Sequence, residues 1–560
     1  MRILFLTHSF NSLSQRLYVE LSRDGHDISI EFDINDAVTR EAVALWRPDL
    51  IIAPFLKRAI PEDVWRAHTC FIVHPGPRGD RGPAALDWAV LNGESTWGVT
   101  VLQAEAEMDA GPVWASVEFP MREARKSSLY RNEVTDAAVS AVRRALGRFA
   151  AGDFTPEPPS GGGRWRPACR QADRGIDWLC DDTATVLRKI RSADGQPGIR
   201  DRIGGVPCYL YDARREPALS GPPGELLACR HGAICRATID GAVWIGHLRP
   251  AGEGPDFKQP AASVLDETAR TLPDPGGDAA GAEAIRYEEA NGIGYLHFDF
   301  YNGAMGVAEC ERLLDAYRSA CERDTRLLVL MGGPDFWSNG LDLNQIEAAE
   351  SPADESWRNI EAINELAWAI ITTEDRLTVS ALQGNAAAGG VFLALAADQV
   401  LARSGVVLNP HYKSMGNLFG SEYWTYLLPR RVGEARAAEL TQNRLPIGAP
   451  EALSLGLIDA HFGEDGVDFS AQVQTRSEAL AASPAYGEML EGKRRRRAAD
   501  EAQKPLAAYR AEELKRMQLN FYGFDPSYHV ARYHFVFKVP HSRTPFFLAR
   551  HRIGGMGVPE

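Results

Sequence analysis

Two side chains in the first part of this sequence have the chemistry to move protons at a carbonyl carbon. His74 follows a short apolar run and precedes a loop rich in proline and glycine, and Asp109 precedes Ala-Gly. We predict that both residues lie at the ends of strands and that a turn exposes the Asp109 carboxylate. An imidazole oriented by a carboxylate can shuttle a proton and stabilise the oxyanion of an acyl transfer. The alternative is a loop histidine and a turn-capping aspartate that do not touch each other.

Two glycine-rich turns further along the chain could bind a different carbonyl group. Phe336–Asp342 follows one predicted strand, and Gly384–Val391 follows another and opens a helix. One backbone N–H from each turn could converge on a thioester carbonyl, and the small side chains would let the ligand approach the main chain. Glycines that serve only packing are the alternative for each turn taken alone.

Two further side chains could act on such a thioester. Tyr412 lies in the segment Asn409–Gly416, and Glu422 lies in Phe419–Tyr426. A phenol and a carboxylate over a thioester would form an acid–base pair. The alternative is a surface tyrosine and a carboxylate in the first turn of a helix, where the helix dipole favours negative charge.

The composition limits the classes of partner. The chain has 560 residues, 45% of them hydrophobic, and a formal net charge of −14. This length predicts about two to four domains. The negative charge argues against nucleic acid as the main partner, although local arginines and helix N-termini can still hold small anions. The eight cysteines include no C-x-x-C pair, which is typical of a protein from the reducing cytoplasm.

The sequence predicts neither a targeting segment nor a membrane span. Met1–Leu6 is too short for the apolar core of a signal peptide, and the longest apolar run, Val391–Ala402, contains Asp398. We also predict no metal site, because the spacing of three histidines in the last part of the chain does not place them on one helical face: His529, His534 and His541.

The elements that must position these residues form an α/β pattern. Residues 1–155 alternate strand and helix signals, which predicts an open doubly wound sheet with ligands beyond the carboxyl ends of its strands. Its predicted parallel strands are residues 2–6, 27–32, 49–53 and 70–73.

The rest of the chain predicts four further segments. Pro156–Gly163 is a linker because of its composition, and residues 164–260 have the short strands and turns of a small β-barrel. A second linker is predicted at 261–283, and an α/β domain at 284–485. Residues 486–560 form a helical, aromatic extension.

The first half of the chain resembles the formyltransferases that use 10-formyltetrahydrofolate. The resemblance rests on motifs in the order found in that family, namely His74-Pro75, Arg81-Gly82, Leu91–Glu94, Trp97–Val101 and Met108–Gly111. Residues 164–250 are similar to the carboxyl-terminal barrel of the same family, at Ile176–Trp178, Ile190–Ala193 and Pro223–Glu225. The resemblance implies that His74 and Asp109 are the acid–base pair of formyl transfer.

One position departs from the formyltransferase pattern. The family has an asparagine two residues before the histidine, and this chain has Ile72. Losing one oxyanion donor typically costs about 10²–10³ in rate. Another donor must substitute, or the acceptor differs from the usual amine or water. His8, Asn11 and Gln15 are candidates for the missing donor. The alternative for them is loop solvation, with helix capping by Ser12 or Ser14.

The second half resembles the crotonase (enoyl-CoA hydratase/isomerase) superfamily, on the ordered pair of glycine-rich turns. The resemblance implies that Asn339 and Gly389 supply the oxyanion N–H groups. Phe392 stands where that family has a hydratase carboxylate, so ordinary addition of water to an enoyl-CoA is not expected. The run Lys493–Arg497 is expected to be a solvated helix face, and contact with CoA phosphates is its alternative.

A formyltransferase-like half joined to a crotonase-like half resembles a family of [NiFe]-hydrogenase maturation factors. This resemblance implies synthesis of the carbon monoxide ligand from 10-formyltetrahydrofolate, by formyl transfer to coenzyme A and release of CO from formyl-CoA. Glu422 would take the formyl proton and Tyr412 would protonate the departing thiolate. Other hydrogenase maturation proteins are the implied partners. The candidate ligand contacts are Asn11, Gln15, Arg131 and Ser192.

Three alternatives stay open at this point. The first is a formyltransferase or 10-formyltetrahydrofolate hydrolase with a passenger domain, which Ile72 disfavours. The second is a hydratase or isomerase, which Phe392 disfavours. The third is a non-catalytic scaffold that binds CoA or folate and docks maturation proteins, since both centres depart from their family patterns.

Overall fold

The computed structural model describes residues 1–158, 164–252, 256–276, 281 and 283–555. Within these ranges the chain divides into two compact units, Met1–Glu283 with Pro540–Glu560, and Ala284–Val539. None of the helices in the described ranges combines the length and the apolar character that a membrane span requires.

The first unit begins with a six-stranded sheet. Its strands are β1 (Arg2–Thr7), β2 (Asp27–Phe32), β3 (Leu50–Ala53), β4 (Cys70–His74), β5 (Thr96–Gln103) and β6 (Val113–Pro120). They stand in the order β2-β1-β3-β4-β5-β6. The four predicted parallel strands are present; β5 runs antiparallel to β4, and β6 runs antiparallel to β5 and so in the direction of the parallel strands. The predicted α/β sheet is confirmed.

Helices flank this sheet, and two of them begin or end at a local capping group. They are α1 (Ser12–Arg23), α2 (Asp36–Trp46), α3 (Glu62–Ala67), α4 (Ala85–Asn92), α5 (Lys126–Leu129) and α6 (Thr135–Ala151), with a π-helical turn at Tyr130–Val134. The side chain of Asn11 caps α1 by accepting a hydrogen bond from Ser14 N. Gly93 ends α4 in the left-handed conformation. The predicted capping of α1 by Ser12 or Ser14 is therefore wrong, because Asn11 takes that position.

A smaller antiparallel sheet follows. Its elements are α7 (Gln171–Arg174), α8 (Thr183–Ala193), β7 (Ile199–Ile203), β8 (Val206–Glu216), β9 (Leu226–Arg230), β10 (Ala233–Ala237), β11 (Ala242–Pro250), β12 (Gln259–Pro260), α9 (Ala261–Leu265) and α10 (Glu267–Arg270). The order is β7-β8-β11-β10-β9, with β12 beside β11. In the described ranges β7 and β9, at the ends of this order, do not pair with each other, so the expected barrel is open there.

The predicted linkers differ from the structure in one respect. Residues 159–163 of the first linker lie outside the described ranges. In the second, α9 and α10 are helical, and Ala261, Leu265 and Ala269 are buried in the core of the small sheet. The domain predicted to end at residue 260 therefore extends through α10, because these apolar side chains are needed to cover the sheet.

The second unit contains a large sheet and a small one. Its elements are β13 (Ile285–Ala290), β14 (Ile293–Phe298), α11 (Val307–Cys321), β15 (Leu327–Met331), β16 (Phe336–Ser338), α12 (Leu343–Ala348), α13 (Pro352–Ile371), β17 (Leu377–Leu382), β18 (Asn385–Ala387), α14 (Gly389–Leu395), β19 (Gln399–Arg403), β20 (Val407–Asn409), α15 (Trp424–Val432), α16 (Glu434–Gln442), β21 (Ile447–Gly448), α17 (Ala449–Ser454), β22 (Ala460–Phe462), α18 (Gly466–Ala482), α19 (Tyr486–Gln503), α20 (Leu506–Tyr522) and α21 (Ser527–Val536). The large sheet has the order β13-β14-β15-β17-β19-β22, and the small sheet has the order β16-β18-β20-β21.

The small sheet explains how three distant turns meet. β16, β18 and β20 run parallel to one another, so their carboxyl ends share one edge. The residues that follow these ends include Asn339, Gly389 and Tyr412. Three positions that the sequence singled out therefore lie at the same edge of this sheet.

The carboxyl-terminal extension belongs to both units. Residues 486–539, with α19, α20 and α21, belong to the second unit, whereas residues from Pro540 onward belong to the first. There Leu548 O accepts a hydrogen bond from Ile30 N on the edge strand β2. The prediction of one extension over 486–560 is corrected by this division, since the last segment finds its hydrogen bonds on β2.

Candidate functional sites

The first candidate site is built around the end of β4. His74 is the last residue of that strand, and its side chain is 4% exposed. Its Nε2 lies 3.1 Å from Asp80 Oδ2, and its Nδ1 lies 3.6 Å from Asp109 Oδ2. The imidazole is therefore held between two carboxylates. The alternative of a loop histidine without an aspartate contact is excluded.

Asp109 reaches His74 from a loop and not from the end of a strand. It lies between β5 and β6, with a φ of 51°, and its carboxylate accepts a hydrogen bond of 3.1 Å from Gly82 N. Its side chain is only 13% exposed. The prediction of an exposed carboxylate is therefore wrong, because the left-handed backbone turns Asp109 inward toward His74.

Asp80 is a residue of this site that sequence analysis missed. Its second oxygen is hydrogen-bonded to Arg166 Nε, and the Arg166 guanidinium lies 4.8 Å from the ring centroid of Trp97. Gly76 lets Asp80 and His74 meet, since a Cβ on Gly76 would lie 2.5 Å from His74 Nε2. The sequence singled out the Pro/Gly loop after His74. Only the folded structure shows that Asp80 is the side chain of this loop that contacts His74.

The candidates for the missing amide at Ile72 lie at the same edge of the sheet. His8 follows β1, and its Nδ1 pairs with Asp33 Oδ1 at 2.8 Å. Asn11 caps α1 and donates from Nδ2 to Tyr130 OH at 3.2 Å. Gln15 donates from Nε2 to Phe10 O at 2.9 Å.

The two remaining ligand candidates of the first unit differ in accessibility. Arg131 is half-buried in the π-helical turn before α6. Ser192 has no exposed surface, and its hydroxyl donates to Lys189 O at 2.7 Å within α8. The hydroxyl proton of Ser192 is thus used within α8, and a contact of this residue with CoA stays a prediction.

The second candidate site lies at the edge of the small sheet, between two turns. A Cβ on Gly340 would lie 3.4 Å from Gly389 N, so the turns touch. The Asn339 N–H donates to Gly303 O at 2.7 Å and cannot serve as an oxyanion donor in this arrangement. Among the described residues, no hydrogen-bond acceptor lies on the N–H groups of Leu341 and Gly389. The N–H group of Asn339 is therefore occupied, contrary to the prediction, whereas the N–H groups of Leu341 and Gly389 are available.

Tyr412 and Glu422 face each other at this site. The Tyr412 hydroxyl donates a hydrogen bond to Glu422 Oε2, and the two residues are 7% and 1% exposed. A Cβ on Gly389 would lie 2.1 Å from Glu422 Oε1, so the carboxyl group lies directly against the Gly389 backbone. The alternative of a surface tyrosine and a carboxylate in the first turn of a helix is excluded, because Tyr412 is buried and Glu422 precedes α15.

Burial also sets the proton affinity of this pair. Burial raises the pKa of the Glu422 carboxyl to about 7, although the hydrogen bond from Tyr412 opposes the rise. Burial and then the neighbouring Glu422 charge raise the pKa of the Tyr412 phenol well above its usual value. The phenol is therefore a proton donor at neutral pH, and Glu422 exchanges its proton near neutrality.

Phe392, at the position where the resemblance implies a hydratase carboxylate in the family, packs against the pair. It is fully buried in α14, and its ring stacks on the Tyr412 ring at 5.3 Å and 24°. It also contacts the indole of Trp424. An apolar wall thus stands where a water-activating group would be required.

The basic run at 493–497 is partly structural. Lys493 and Arg497 are 6% and 7% exposed. Lys493 Nζ lies 2.6 Å from Asp398 Oδ2, and Arg497 Nη1 donates to Tyr426 OH at 2.7 Å. The expected solvated helix face is therefore wrong for these two residues, because α19 uses them to bind the body of its unit.

Known protein families match the chain in three places. The family described as formyl transferase matches residues 31–146, and the formyl transferase C-terminal domain matches residues 169–255. The enoyl-CoA hydratase/isomerase family matches residues 300–518. The two candidate sites lie in these two kinds of domain.

Two relatives match this chain over almost its whole length, and a third matches part of the first unit. The hydrogenase maturation factor HoxX of Bradyrhizobium diazoefficiens is 58% identical over 556 residues, which are 99% of this chain and 98% of that protein. The crystal structure of HypX from Aquifex aeolicus in complex with tetrahydrofolic acid is 50% identical, with a TM-score of 0.96 over 99% of both chains. A methionyl-tRNA formyltransferase of Roseiflexus castenholzii is 32% identical over 179 residues, or 31% of this chain and 56% of that protein. From its two site-bearing units and this full-length similarity, the chain belongs to the HoxX/HypX family of hydrogenase maturation factors.

Proposed function

We propose that this protein makes carbon monoxide for the iron of [NiFe]-hydrogenase in two steps, one in each unit. The first unit transfers the formyl group of 10-formyltetrahydrofolate to the thiol of coenzyme A. The second unit splits formyl-CoA into CO and CoA. The observation that carries this proposal is the buried Tyr412–Glu422 pair against the Gly389 backbone. Other hydrogenase maturation proteins are the proposed partners.

The first step draws support from His74 and from the relatives. The Aquifex aeolicus relative was crystallised with tetrahydrofolic acid, and residues 31–146 match the formyl transferase family. In the transfer, the thiol sulfur bonds to the formyl carbon as the carbon–nitrogen bond breaks. His74 takes the thiol proton and returns it to the departing nitrogen. Asp80 and Asp109 hold the ring in place for both transfers.

A thiol acceptor also accounts for Ile72. An amine or water acceptor needs strong polarisation of the formyl oxygen, which the family asparagine would provide. A thiolate is a better nucleophile and needs less of this polarisation. Ile72 packs instead with the apolar face of the sheet, next to Cys70 and Ala53.

The residues of the second site fit a bound thioester. The unpartnered N–H groups of Leu341 and Gly389 can donate to its carbonyl oxygen. Backbone approach is possible because Gly389 and Gly390 lack side chains. A Cβ on Gly390 would lie 2.0 Å from Ser338 O.

The release of CO requires one base and one acid. Glu422 takes the formyl proton, and the electron pair of that C–H bond stays on carbon as the carbon–sulfur bond breaks. Tyr412 protonates the departing thiolate and recovers a proton from Glu422. Formyl-CoA thus gives CO and CoA with no oxidant or reductant. Phe392 shields the pair from water, which would otherwise hydrolyse the formyl thioester.

The test is to mix the purified protein with 10-formyltetrahydrofolate and CoA and to follow reduced haemoglobin for its carbonyl spectrum. CO that forms only when CoA is present is the expected result. Free formate without CO would replace the proposal with a hydrolase. Absence of any turnover would leave a non-catalytic scaffold that binds CoA or folate.

A further inference from the structure

A second buried carboxyl group lies beside the Tyr412–Glu422 pair. Glu513, on α20, has no exposed surface. Its two oxygens accept hydrogen bonds from the turn that precedes α15. The donors are Ser421 Oγ at 3.2 Å, Tyr423 N at 3.0 Å, Thr425 N at 2.9 Å and Thr425 Oγ1 at 2.6 Å.

One face of α20 accepts hydrogen bonds along the whole turn, residues 419–425. Met517 Sδ accepts from Gly420 N at 3.2 Å, and Asn520 Oδ1 accepts from Phe419 N at 3.0 Å. Glu513, Met517 and Asn520 follow one another at the spacing of successive helical turns. A single helix face therefore fixes the segment that carries Glu422.

The turn needs this support because its backbone is strained. Glu422 and Tyr423 have φ values of 60° and 57°, a left-handed conformation that residues with a side chain rarely adopt. Such a conformation persists only where surrounding groups fix it. The N–H of Glu422 is held by Asn364 Oδ1 at 2.8 Å, and the N–H of Tyr423 is held by Glu513.

Glu513 is also linked to Glu422 through side chains. Asn364 Nδ2 donates to Ser421 Oγ at 2.8 Å, and the Ser421 hydroxyl has two acceptors within reach, Asn364 Oδ1 at 3.0 Å and Glu513 Oε2 at 3.2 Å. Asn364 Oδ1 then accepts from the Glu422 N–H. A change at Glu513 can therefore reach the backbone of Glu422 through the Tyr423 N–H and through the side chains of Ser421 and Asn364.

Among the described residues, few other ionisable groups face Glu422 and Glu513. The groups that face them on the neighbouring elements are Tyr412, Tyr423, Cys310 and the Arg510–Glu365 ion pair. Burial raises the pKa of the Glu513 carboxyl to about 7, and burial followed by the charge of Glu513 raises that of Glu422. Negative charge on Glu513 therefore disfavours negative charge on Glu422.

We propose that Glu513 is a positioning residue for the release of CO, which holds Glu422 against Gly389 and strengthens it as a base. The inference rests on the proposed function of the second site. Glu513 does not reach the thioester and acts only through Glu422 and its turn.

The test compares Glu513→Gln, Glu513→Asp and the exposed neighbour variant Glu512→Gln, with formyl-CoA supplied directly. In Glu513→Gln the charge is lost, so the rising limb of the pH profile of CO release should move to lower pH by about half a unit or more. In Glu513→Asp the charge stays but the carboxylate no longer reaches the turn. The expected result there is a fall in kcat of about tenfold to a hundredfold without movement of the limb. Glu512→Gln should match the unchanged protein.

Each outcome decides the proposal. Loss of activity without any shift in Glu513→Gln would reduce Glu513 to a purely structural role, and unchanged profiles in both variants would refute the proposal. If Glu513→Gln does not fold, Thr425→Val removes one hydrogen bond to Glu513 and should lower kcat severalfold. Unchanged activity in Thr425→Val would then refute the proposal. A parent protein that makes no CO from formyl-CoA would refute the proposed function itself, and this inference with it.

Discussion

At the scale of single residues, both sites bury their proton-handling groups but place them in different surroundings. His74 lies between two carboxylates, one near each ring nitrogen. Within the described ranges, Glu422 is buried away from charged partners of opposite sign, and burial raises the pKa of its carboxyl group to about 7. An imidazole between carboxylates suits transfer of a proton in both directions, whereas a desolvated carboxylate suits removal of a poorly acidic C–H proton.

The first residue-scale prediction concerns Glu422. Because burial raises the pKa of this carboxyl to about 7, and the base must be ionised, CO release from formyl-CoA should rise with pH through about neutrality. Glu422→Gln should abolish CO release and leave the formation of formyl-CoA detectable. The measurements are haemoglobin carbonyl spectra for CO and chromatography for formyl-CoA. A flat profile in this range, or CO from Glu422→Gln, would show that another group takes the proton.

The second residue-scale prediction concerns Asp80. Asp80→Asn keeps the shape of the side chain but loses the charge that holds His74 Nε2 and Arg166. We expect formyl transfer to fall by about tenfold to a hundredfold and CO release from added formyl-CoA to stay unchanged. Glu105→Gln, an exposed change in the loop that carries Asp109, is the matched control. Equal rates of formyl transfer in Asp80→Asn and in the control would show that the Asp80 charge does not contribute to the transfer.

At the scale of elements, the small sheet of the second unit determines which backbone groups meet at the second candidate site. The parallel ends of β16, β18 and β20 bring Leu341, Gly389 and Tyr412 together. Ala388, just before Gly389, has a φ of 49°, and its N–H is bonded to Asn409 O at 3.0 Å. The strained residue is thus tied to the neighbouring strand, which leaves the next N–H available at the helix N-terminus.

The element-scale prediction uses two glycines. In Gly389→Ala the new Cβ would lie 2.1 Å from Glu422 Oε1, so the carboxyl group must move away from the thioester. CO release should fall about a hundredfold or more, while formyl transfer in the other unit continues. Gly487→Ala, where a Cβ would meet nothing within 4 Å, is the control and should keep full activity. If the two variants release CO equally fast, Glu422 does not act at Gly389.

At the scale of the whole molecule, the last described segment is part of the core of the first unit. Glu31, on β2, has no exposed surface and is bonded to His551, Arg552 and Thr544. Burial raises the pKa of Glu31, but these hydrogen bonds outweigh it and hold the pKa below its ordinary value. This contribution to stability is present above the ordinary carboxyl pKa and is lost as the pH falls through the lowered value.

The whole-molecule prediction compares two arginines of that segment. Arg552→Met removes a positive charge that pairs with the buried carboxylate of Glu31. It should lower the free energy of unfolding of the first unit by about 3–5 kcal/mol. Arg550 pairs with Asp27 at the surface, so Arg550→Met should change it by less than about 1 kcal/mol. Thermal unfolding and hydrogen exchange of the β2 amides measure both. Similar stability of the two variants would mean that the segment does not secure β2.

The sequence by itself determined the chemistry of each site and the elements around it. Apolar runs and turn residues predicted the parallel strands at residues 2–6 and 70–73, one residue short of their ends at Thr7 and His74, because hydrophobic periodicity and turn chemistry are local properties. Residue types and motif order predict His74, Asp109, Tyr412 and Glu422 as the groups that act on a formyl carbonyl, and these roles stay predictions.

Only the tertiary structure decided which groups are available and which are already occupied. Asn339 N–H is used by Gly303, and the hydroxyl of Ser192 is used within α8, whereas the N–H of Leu341 has no partner among the described residues. Asp80 and Glu513 turn toward the sites through a folded loop and a distant helix. Hydrogen-bond partners and burial depend on contacts between residues far apart in sequence, so no local pattern specifies them.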